Sequence, residues 1–542
     1  MAPPRLKLAK KKVQESVKLT DPDDYLELSD SHEEAMRKHR VGDPVKALRF
    51  ADRALDVYSQ GLAKFPRSFD LAYNKARLEL EKANDPIFSQ ALDVPVMSVL
   101  RQALSSHQYA RDLDPMHADT LFNMAQVLTT MAEIIAEDGK TDDVEALQNI
   151  EQALELQSHC FELQQATFEK SRLELKQAIR ETAENQISQI DSAQAATISA
   201  SEAHNDSQEE QWVSIEEPVT AVTLLETIIA QIEALSALCS ILSSSLASSP
   251  ELGHASATTL PWIDSFSMRL LTQILPNLVD ENRETLEARL SEVILSKANF
   301  TGNYLELSFR LTAIDVEKYK QELDAAFTQP GLDAASEDVL LASARALLSF
   351  NSALADLASA GPLAGSAGLH AALRWKILVE AQSRLSSVAS IPNVDKHTVA
   401  TTHMQRGDIS LLLQVLAYPP AAHPQARTTT PQLLKHAEVY YRNAGKLFAS
   451  LGRSADEEKL SCELKGAIVG VLQQVTTAQG AAGSSSGQGN SGAIIGMPAS
   501  LDQIELALKP AIKAKGQQWA RDQIDDMVNE GLVIPDVFLA VI

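Results

Sequence analysis

The sequence predicts an all-α chain of stacked helix hairpins, and three observations carry that expectation. Hydrophobic residues make up 45% of the chain but aromatics only 5%, a balance that suits helices packed through Ala and Leu better than β-sandwiches. Strand signals are nearly absent, and short turns rich in Gly, Pro and Ser separate the apolar stretches. Alanines seven residues apart, which share one helical face, recur in the first third: Ala47 with Ala54, Ala103 with Ala110, Ala146 with Ala153.

The elements follow in order. Residues 1–28 read as a disordered basic start (Arg5, Lys7, Lys10, Lys11, Lys12) with the character of an import signal or of a contact for an acidic partner. A first helix is expected over Ser29 to Arg40, and Gly42-Asp43 turns the chain into the Ala47/Ala54 helix, which should run on to Pro66. FDLAYNKARLELE (Phe69 to Glu81) forms the next helix, and ANDPIFSQALDVP (Ala83 to Pro95) reads as an inserted, partly helical loop. The Ala103/Ala110 helix ends at Asp114-Pro115, and a second amphipathic run crowds Leu121, Phe122, Met124, Ala125 and Leu128 on one side. EALQNIEQALELQ (Glu145 to Gln157) repeats the pattern, and Phe161 to Gln186 continues as a long helix laced with i,i+4 charge pairs. A hairpin of this kind cannot bury its apolar face alone and must stack on neighbours.

The turn Gly42-Asp43, the alanine pairs, the closing Asp114-Pro115, and the runs Tyr73-Asn74 with Ala76 and Phe122-Asn123 with Ala125 resemble the tetratricopeptide repeat (TPR) family over residues 29–186. The resemblance implies a right-handed superhelix of stacked antiparallel helix hairpins, a TPR-like α-solenoid. It departs from the family in spacing, because the leading alanines at 47, 103 and 146 lie further apart than the family period of about 34. In the first helix Ser31, Glu34 and Lys38 stand where apolar residues are usual, so that unit reads as an atypical cap.

Residues 187–216 are an acidic, Ser-rich linker by composition. A second helical-repeat block is expected over 217–477, opening with the apolar run after Pro218. Helices follow near Trp262 to Leu275, Asn282 to Ser296, Tyr304 to Ile314, Val316 to Phe327, Ser336 to Ala358, Ala367 to Ala389, Ala400 to Leu416, Pro431 to Leu451 and Ala455 to Thr477. Ala437 and Ala444 revive the seven-residue pair in KHAEVYYRNAGKLF, but most hairpins there do not hold the TPR register. Residues 478–499 read as a flexible Gly/Ser tether, and 500–542 as a helical tail whose apolar end docks back as a cap.

Chemical motifs are thin. Gly487, Gly489 and Gly492 satisfy G-x-G-x-x-G, and Gly483, Ser485 and Gly487 satisfy G-x-S-x-G, but neither follows a strand, so both read as spacer. There is no P-loop, HEEAM at His32 lacks the second His of a zinc helix, and the 12 histidines are scattered. Cys160, Cys239 and Cys462 form neither a disulfide framework nor a zinc site and fit a reducing compartment. No catalytic residue, cofactor or metal is expected, and the chain reads as no enzyme. The start lacks the apolar core of a secretory signal, and no uninterrupted run reaches the roughly 18 apolar residues of a span, which points to a soluble intracellular protein, cytoplasmic or nuclear.

Function therefore falls to binding. In TPR proteins the first helices of successive repeats line a concave groove that grips an extended or helical peptide. By register that groove would contain His32, Met36 and His39, then Asp70, Tyr73 and Arg77, then Asp119, Phe122, Gln126 and Thr129. The family's carboxylate clamp for heat-shock chaperone tails needs Lys and Asn in its first repeat and basic residues in its third. Here those positions hold His32 and Met36, then Asp119 and Asn123, and only Asn74 agrees, so that partner is rejected. A net charge of −24 repels nucleic acid and favours basic proteins. The expectation is a protein-binding scaffold or adaptor with no direct nucleic-acid contact and no membrane insertion. The alternative is an acidic escort for a basic client such as a ribosomal protein or histone, against which the acidic residues count by being spread along the chain rather than gathered in one tract; an enzyme of unknown type, which would need a closed pocket with converging polar groups in the second block, is the least favoured reading.

Overall fold

Antiparallel packing is set by the first hairpin. Helix α1 (Pro22–His39) and helix α2 (Pro44–Lys64) run against each other, so that Tyr25 meets Gly61, Ser29 faces Ala54 and Glu33 meets Tyr58. The contact is close because α2 presents Ala47, Ala51, Ala54 and Gly61 to it, all buried. A Cβ at Gly61 would sit 2.9 Å from Leu71 Cδ1 and 3.0 Å from Tyr25 Cγ, closer than packed carbons approach. The computed structural model describes residues 19–89, 91–138, 143–192, 218–248, 253–359, 367–452, 455–483, 509 and 512–534.

Helix α1 starts earlier than the sequence reading placed it. Residues 22–28, expected to be disordered, are helical because Asp21 and Asp24 close a capping box: the Asp24 amide donates to Asp21 Oδ1 at 3.0 Å and the Asp21 amide donates to Asp24 Oδ2 at 3.3 Å. Pro22 supplies the pre-set φ of the first turn. The basic run at residues 5–12 lies outside the described residues.

Helix α3 (Phe69–Asn84) is capped by Ser68, and the inserted segment contributes one turn, α4 (Pro86–Ser89). Helix α5 (Val96–Leu113) packs on α3 as the second hairpin, α6 (Ala118–Asp138) opens the next, and α7 (Asp143–Ser192) continues as a single helix past the expected start of the linker at 187. The rest of that linker lies outside the described residues. The core is handed from helix to helix. Tyr25, Met36, Ala54, Tyr58 and Leu71 join α1 to α3, then Ala83, Leu100, Ala103 and Met131 join α3, α5 and α6, then Ala125, Leu128 and Ala153 join α6 to α7. All six alanines of the three pairs are fully buried, as a repeat that hides its face only by stacking requires.

The described helices fall into two compact units, the first formed by residues up to 214 apart from 142–147, the second by those six residues and the chain from 215 on. In the second unit α8 (Ala221–Ser248) packs on α12 (Leu290–Arg310), with α9 (Gly253–Arg269), a π-helical turn (Leu270–Ile274), α10 (Leu275–Glu281) and the short α11 (Arg283–Leu286) between them in sequence. By length and mean hydropathy alone Ala221–Leu246 is apolar enough for a membrane span, although Glu226 and Glu233 interrupt its apolar run. Leu225, Ile228, Ile232 and Leu235 are fully buried in protein or nearly so.

Two helices expected at 282–296 and 304–314 are one, α12, which continues through Thr301-Gly302-Asn303. Gly302 lies close to α13 (Val316–Phe327) and α14 (Glu337–Ser359), with Ala346 and Leu323 as its neighbours, and Asn303 Nδ2 donates to the Ser236 carbonyl at 3.2 Å. Then α15 (Ala367–Val388), α16 (Lys396–Val415), α17 (Pro424–Leu451) and α18 (Asp456–Gly483) pack in sequence. Helix α19 (Gln517–Asn529) lays Ala520, Ile524 and Met527, followed by Leu532 and Val533, into the core that includes Tyr441, Leu464 and Ile468. The tail thus docks through residues before 535; residues 478–483, expected as the start of the tether, instead continue α18 as helix, and the rest of the tether and the tail's apolar end lie outside the described residues. No strand occurs among the described residues, and the fold is an all-α array of stacked hairpins. Cys160, Cys239 and Cys462 are all buried.

Candidate protein-binding face

Helices α1, α3 and α6, the leading helices of the first hairpins, neighbour one another in that order. The α1–α3 seam is polar. Glu33, 2% exposed, accepts from Tyr58 Oη at 2.7 Å and from Arg77 Nη2 at 2.6 Å, with Arg37 Nη1 3.5 Å away. Arg77 also reaches Glu81 at 3.3 Å and Asn74 at 3.5 Å. Burial, followed by the charge of Glu33, drives the Tyr58 hydroxyl far above its ordinary pKa, so it stays a donor to that carboxylate.

The α3–α6 seam is aromatic. Phe69 and Tyr73 stack one turn apart with centroids at 5.8 Å, and the His117 ring sits 4.6 Å from Phe69 and 4.9 Å from Tyr73. His117 is held by capping α6, its Nδ1 lying 3.2 Å from the Thr120 amide that donates to it. Burial raises the pKa of Tyr73 and the Asp119 carboxylate adds to that, while Arg77 and a hydrogen bond to Asn123 oppose it. Asp70 and Asp119 are exposed, and Phe122 and Gln126 are half-buried further along α6. A hollow of about 740 Å³ opens beside Phe69 and Asp70, lined also by Asp23, Lys64 and Arg67.

The ten positions expected to line one groove separate into groups. Asp70 and Tyr73 lie on α3 and Asp119, Phe122 and Gln126 on α6, with the Asp119 carboxylate acting on Tyr73 across the seam. Met36 does not join them: it is fully buried in the core between α1 and α2, because its position on α1 faces the alanine ridge. His32 and His39 stand roughly 100–120° around the helix from Glu33 and stack on Phe50 of α2 at 6.4 Å and 5.7 Å, with Arg53 over the same ring. Burial and Arg53 hold the pKa of His32 below its ordinary value. Arg77 is engaged as a brace, and Thr129 has its hydroxyl enclosed. Phe69 and His117 were missed. Their signal was their place, each beside the first turn of a helix whose next residues already belonged to the groove register. Among the described residues no three His, Cys, Asp or Glu side chains converge as a metal site would need.

No family model matches the chain. Over 178 residues it is 30% identical to a UPF0656 protein of Schizosaccharomyces pombe (strain 972 / ATCC 24843), a match that spans 32% of this chain and little more than a third, 37%, of that relative's length. A solved structure, a circular tandem repeat protein with novel repeat topology and enhanced subunit contact surfaces, aligns with 94% of this chain and 99% of its own at 13% identity, with a TM-score of 0.26, too low to bear on the argument.

Proposed function

We propose that the chain is a non-enzymatic protein-interaction scaffold of TPR type, holding a peptide or helix of a partner protein against α3 and α6. One observation carries the reading: three half-buried rings, Phe69, Tyr73 and His117, meet where α3 and α6 begin, and the same first turns carry two exposed carboxylates, Asp70 and Asp119. Aromatic faces and flanking carboxylates suit a partner that offers apolar side chains together with Lys or Arg, through apolar burial, cation–π attraction and long-range charge. The same carboxylates favour a second reading, the acidic escort of a basic client, which the net charge of −24 also supports.

Co-purification with mass spectrometry, run in parallel on the wild-type chain and on Tyr73→Ala and Phe122→Ala variants, tests the proposal. Partners that vanish from both variants support it. A partner list identical in all three chains sinks it. Scaffold and escort separate by salt: retention of a stoichiometric partner at 0.5 M NaCl marks the former, steep loss the latter.

A further inference from the structure

The second unit carries a polar cluster around one cation, Arg406, that the aromatic face of α3 and α6 does not use. It is built on α16 and α17 around Tyr440. The guanidinium of Arg406 lies over the Tyr440 ring, its carbon 4.2 Å from the centroid, and Nη2 donates to the Tyr440 hydroxyl at 2.9 Å. His403, one turn earlier on α16, holds its ring 6.2 Å from that of Tyr440 and 20° from parallel. His436, one turn earlier on α17, lies at the same 6.2 Å. His436 is exposed and the other three are half-buried, so the cluster is reachable yet partly stripped of water.

What the cluster lacks is an acid. Among the described residues no carboxylate pairs with Arg406, in a chain whose acids outnumber its Lys and Arg by 24. The acids nearest in sequence are taken: Glu438 by Arg442 at 3.5 Å and Gln473 at 3.1 Å, Asp408 by Tyr441 at 2.7 Å and Lys465 at 2.8 Å. Arg406 Nε and His403 Nδ1 are enclosed without a hydrogen-bond partner, so the two side chains are under-satisfied as they stand. Stacking on Tyr440 fixes the plane of the guanidinium beforehand, which lowers the ordering cost of a forked contact with an oxyanion.

We propose that Arg406, Tyr440, His403 and His436 form a recognition site for an oxyanion carried by a protein partner, an Asp or Glu carboxylate or a phosphorylated side chain. Arg406 supplies the charge and the fork, Tyr440 holds its plane, and the two imidazoles supply further polar contacts at the rim. The site is independent of the face on α3 and α6 and opposite to it in chemistry, so the scaffold would grip a basic segment with one unit and an acidic one with the other.

Fluorescence anisotropy with the full-length chain tests it, using three labelled 12-residue peptides of one backbone sequence that carry Glu, phosphoserine or Gln at the same positions. At least tenfold tighter binding of the Glu or the phosphoserine peptide than of the Gln peptide is expected, and whichever of the two binds names the source of the oxyanion. Arg406→Gln should remove that preference, Arg406→Lys should restore only part of it, and Tyr73→Ala should leave it intact. Tyr440→Leu, which keeps apolar bulk but loses the stacking platform, should weaken binding several-fold. Equal affinity for all three peptides overturns the site, as does a preference that survives Arg406→Gln in a chain with unchanged circular dichroism.

Discussion

Arg77 on α3 reaches across to Glu33 on α1, Nη2 to Oε2 at 2.6 Å, and the carboxylate it meets is almost wholly enclosed. The pair ties the first hairpin to the second at a point where an apolar seam gives way to a polar one. Removing Arg77 leaves the enclosed Glu33 with only the Tyr58 hydroxyl and the more distant Arg37 to offset its charge. Arg77→Met should cost about 2–3 kcal/mol, below the roughly 3–5 of a fully buried pair because a third of the Arg77 side chain faces solvent. The double variant Glu33→Met with Arg77→Met should lose less than the sum of the singles. Urea unfolding of the four chains checks the coupling, and strict additivity would mean that the contact does not stabilise the seam.

Binding at the α3–α6 face should respond differently to charge and to area. Phe122→Ala is expected to weaken a bound partner at every salt concentration, by tenfold or more if the ring is an anchor. Asp119→Asn should weaken it chiefly below 0.1 M NaCl and flatten the salt dependence. Affinity titrations between 0.05 and 0.5 M NaCl separate the two behaviours.

Two glycines should respond with opposite signs. A Cβ on Gly407 would lie 2.6 Å from Tyr441 Cε1, and that ring cannot withdraw because it is 1% exposed and its hydroxyl is bonded to Asp408. Gly407→Ala should destabilise the second unit by about 1–3 kcal/mol. Gly470, inside α18, has nothing within 4 Å of such a Cβ. Gly470→Ala should stabilise by about 0.5–1 kcal/mol through helix propensity. Thermal unfolding of both variants reads the signs directly.

The docked tail should behave as part of the core. Ile524 is 2% exposed among residues of the last hairpin, and Ile524→Ala should cost about 2–4 kcal/mol. Amide exchange in α17 and α18 should quicken while α1 to α6 stay unchanged. Unaltered exchange in α18 would show that the tail is not seated there.

Acid should loosen the first unit in part through Asp85. Burial alone would raise its pKa, but Arg40 and the Ile87 amide, which donates at 2.8 Å, outweigh it and hold the carboxyl below the ordinary Asp value. Because the folded value is the lower one, this contribution is complete above about pH 4 and is lost as pH falls through the folded pKa. Asp85→Asn should therefore destabilise at pH 7 and lose less of what remains between pH 5 and 2 than the wild-type chain does.

Much of the fold was legible because its signals are local. Ala47, Ala54, Ala103, Ala110, Ala146 and Ala153 all lie where a seven-residue spacing puts them, and Pro66 and Pro115 lie just past the ends of α2 and α5. What escaped depended on neighbours. Thr301-Gly302-Asn303 looks like a break, yet it is a close approach to Ala346 and Leu323. Periodicity alone could not tell which flank of α1 would meet α2, so it assigned Met36, His32 and His39 to one groove when the alanine ridge of α2 takes the first and Phe50 the others. The Asp21–Asp24 box is legible in DPDD, but it lies within the stretch 1–28 that composition alone assigns to a disordered start.

The buried thiols make the chain its own clock. Burial first, then nearby carboxylates, push Cys462 up to about 12 even against Lys465, and Cys239 rises further. An alkylating reagent at neutral pH must therefore wait for the protein to open. Cys160 falls within the first unit, Cys239 and Cys462 within the second. The order in which mass spectrometry finds them modified would give the opening rate of each unit separately, in a chain that carries no introduced label.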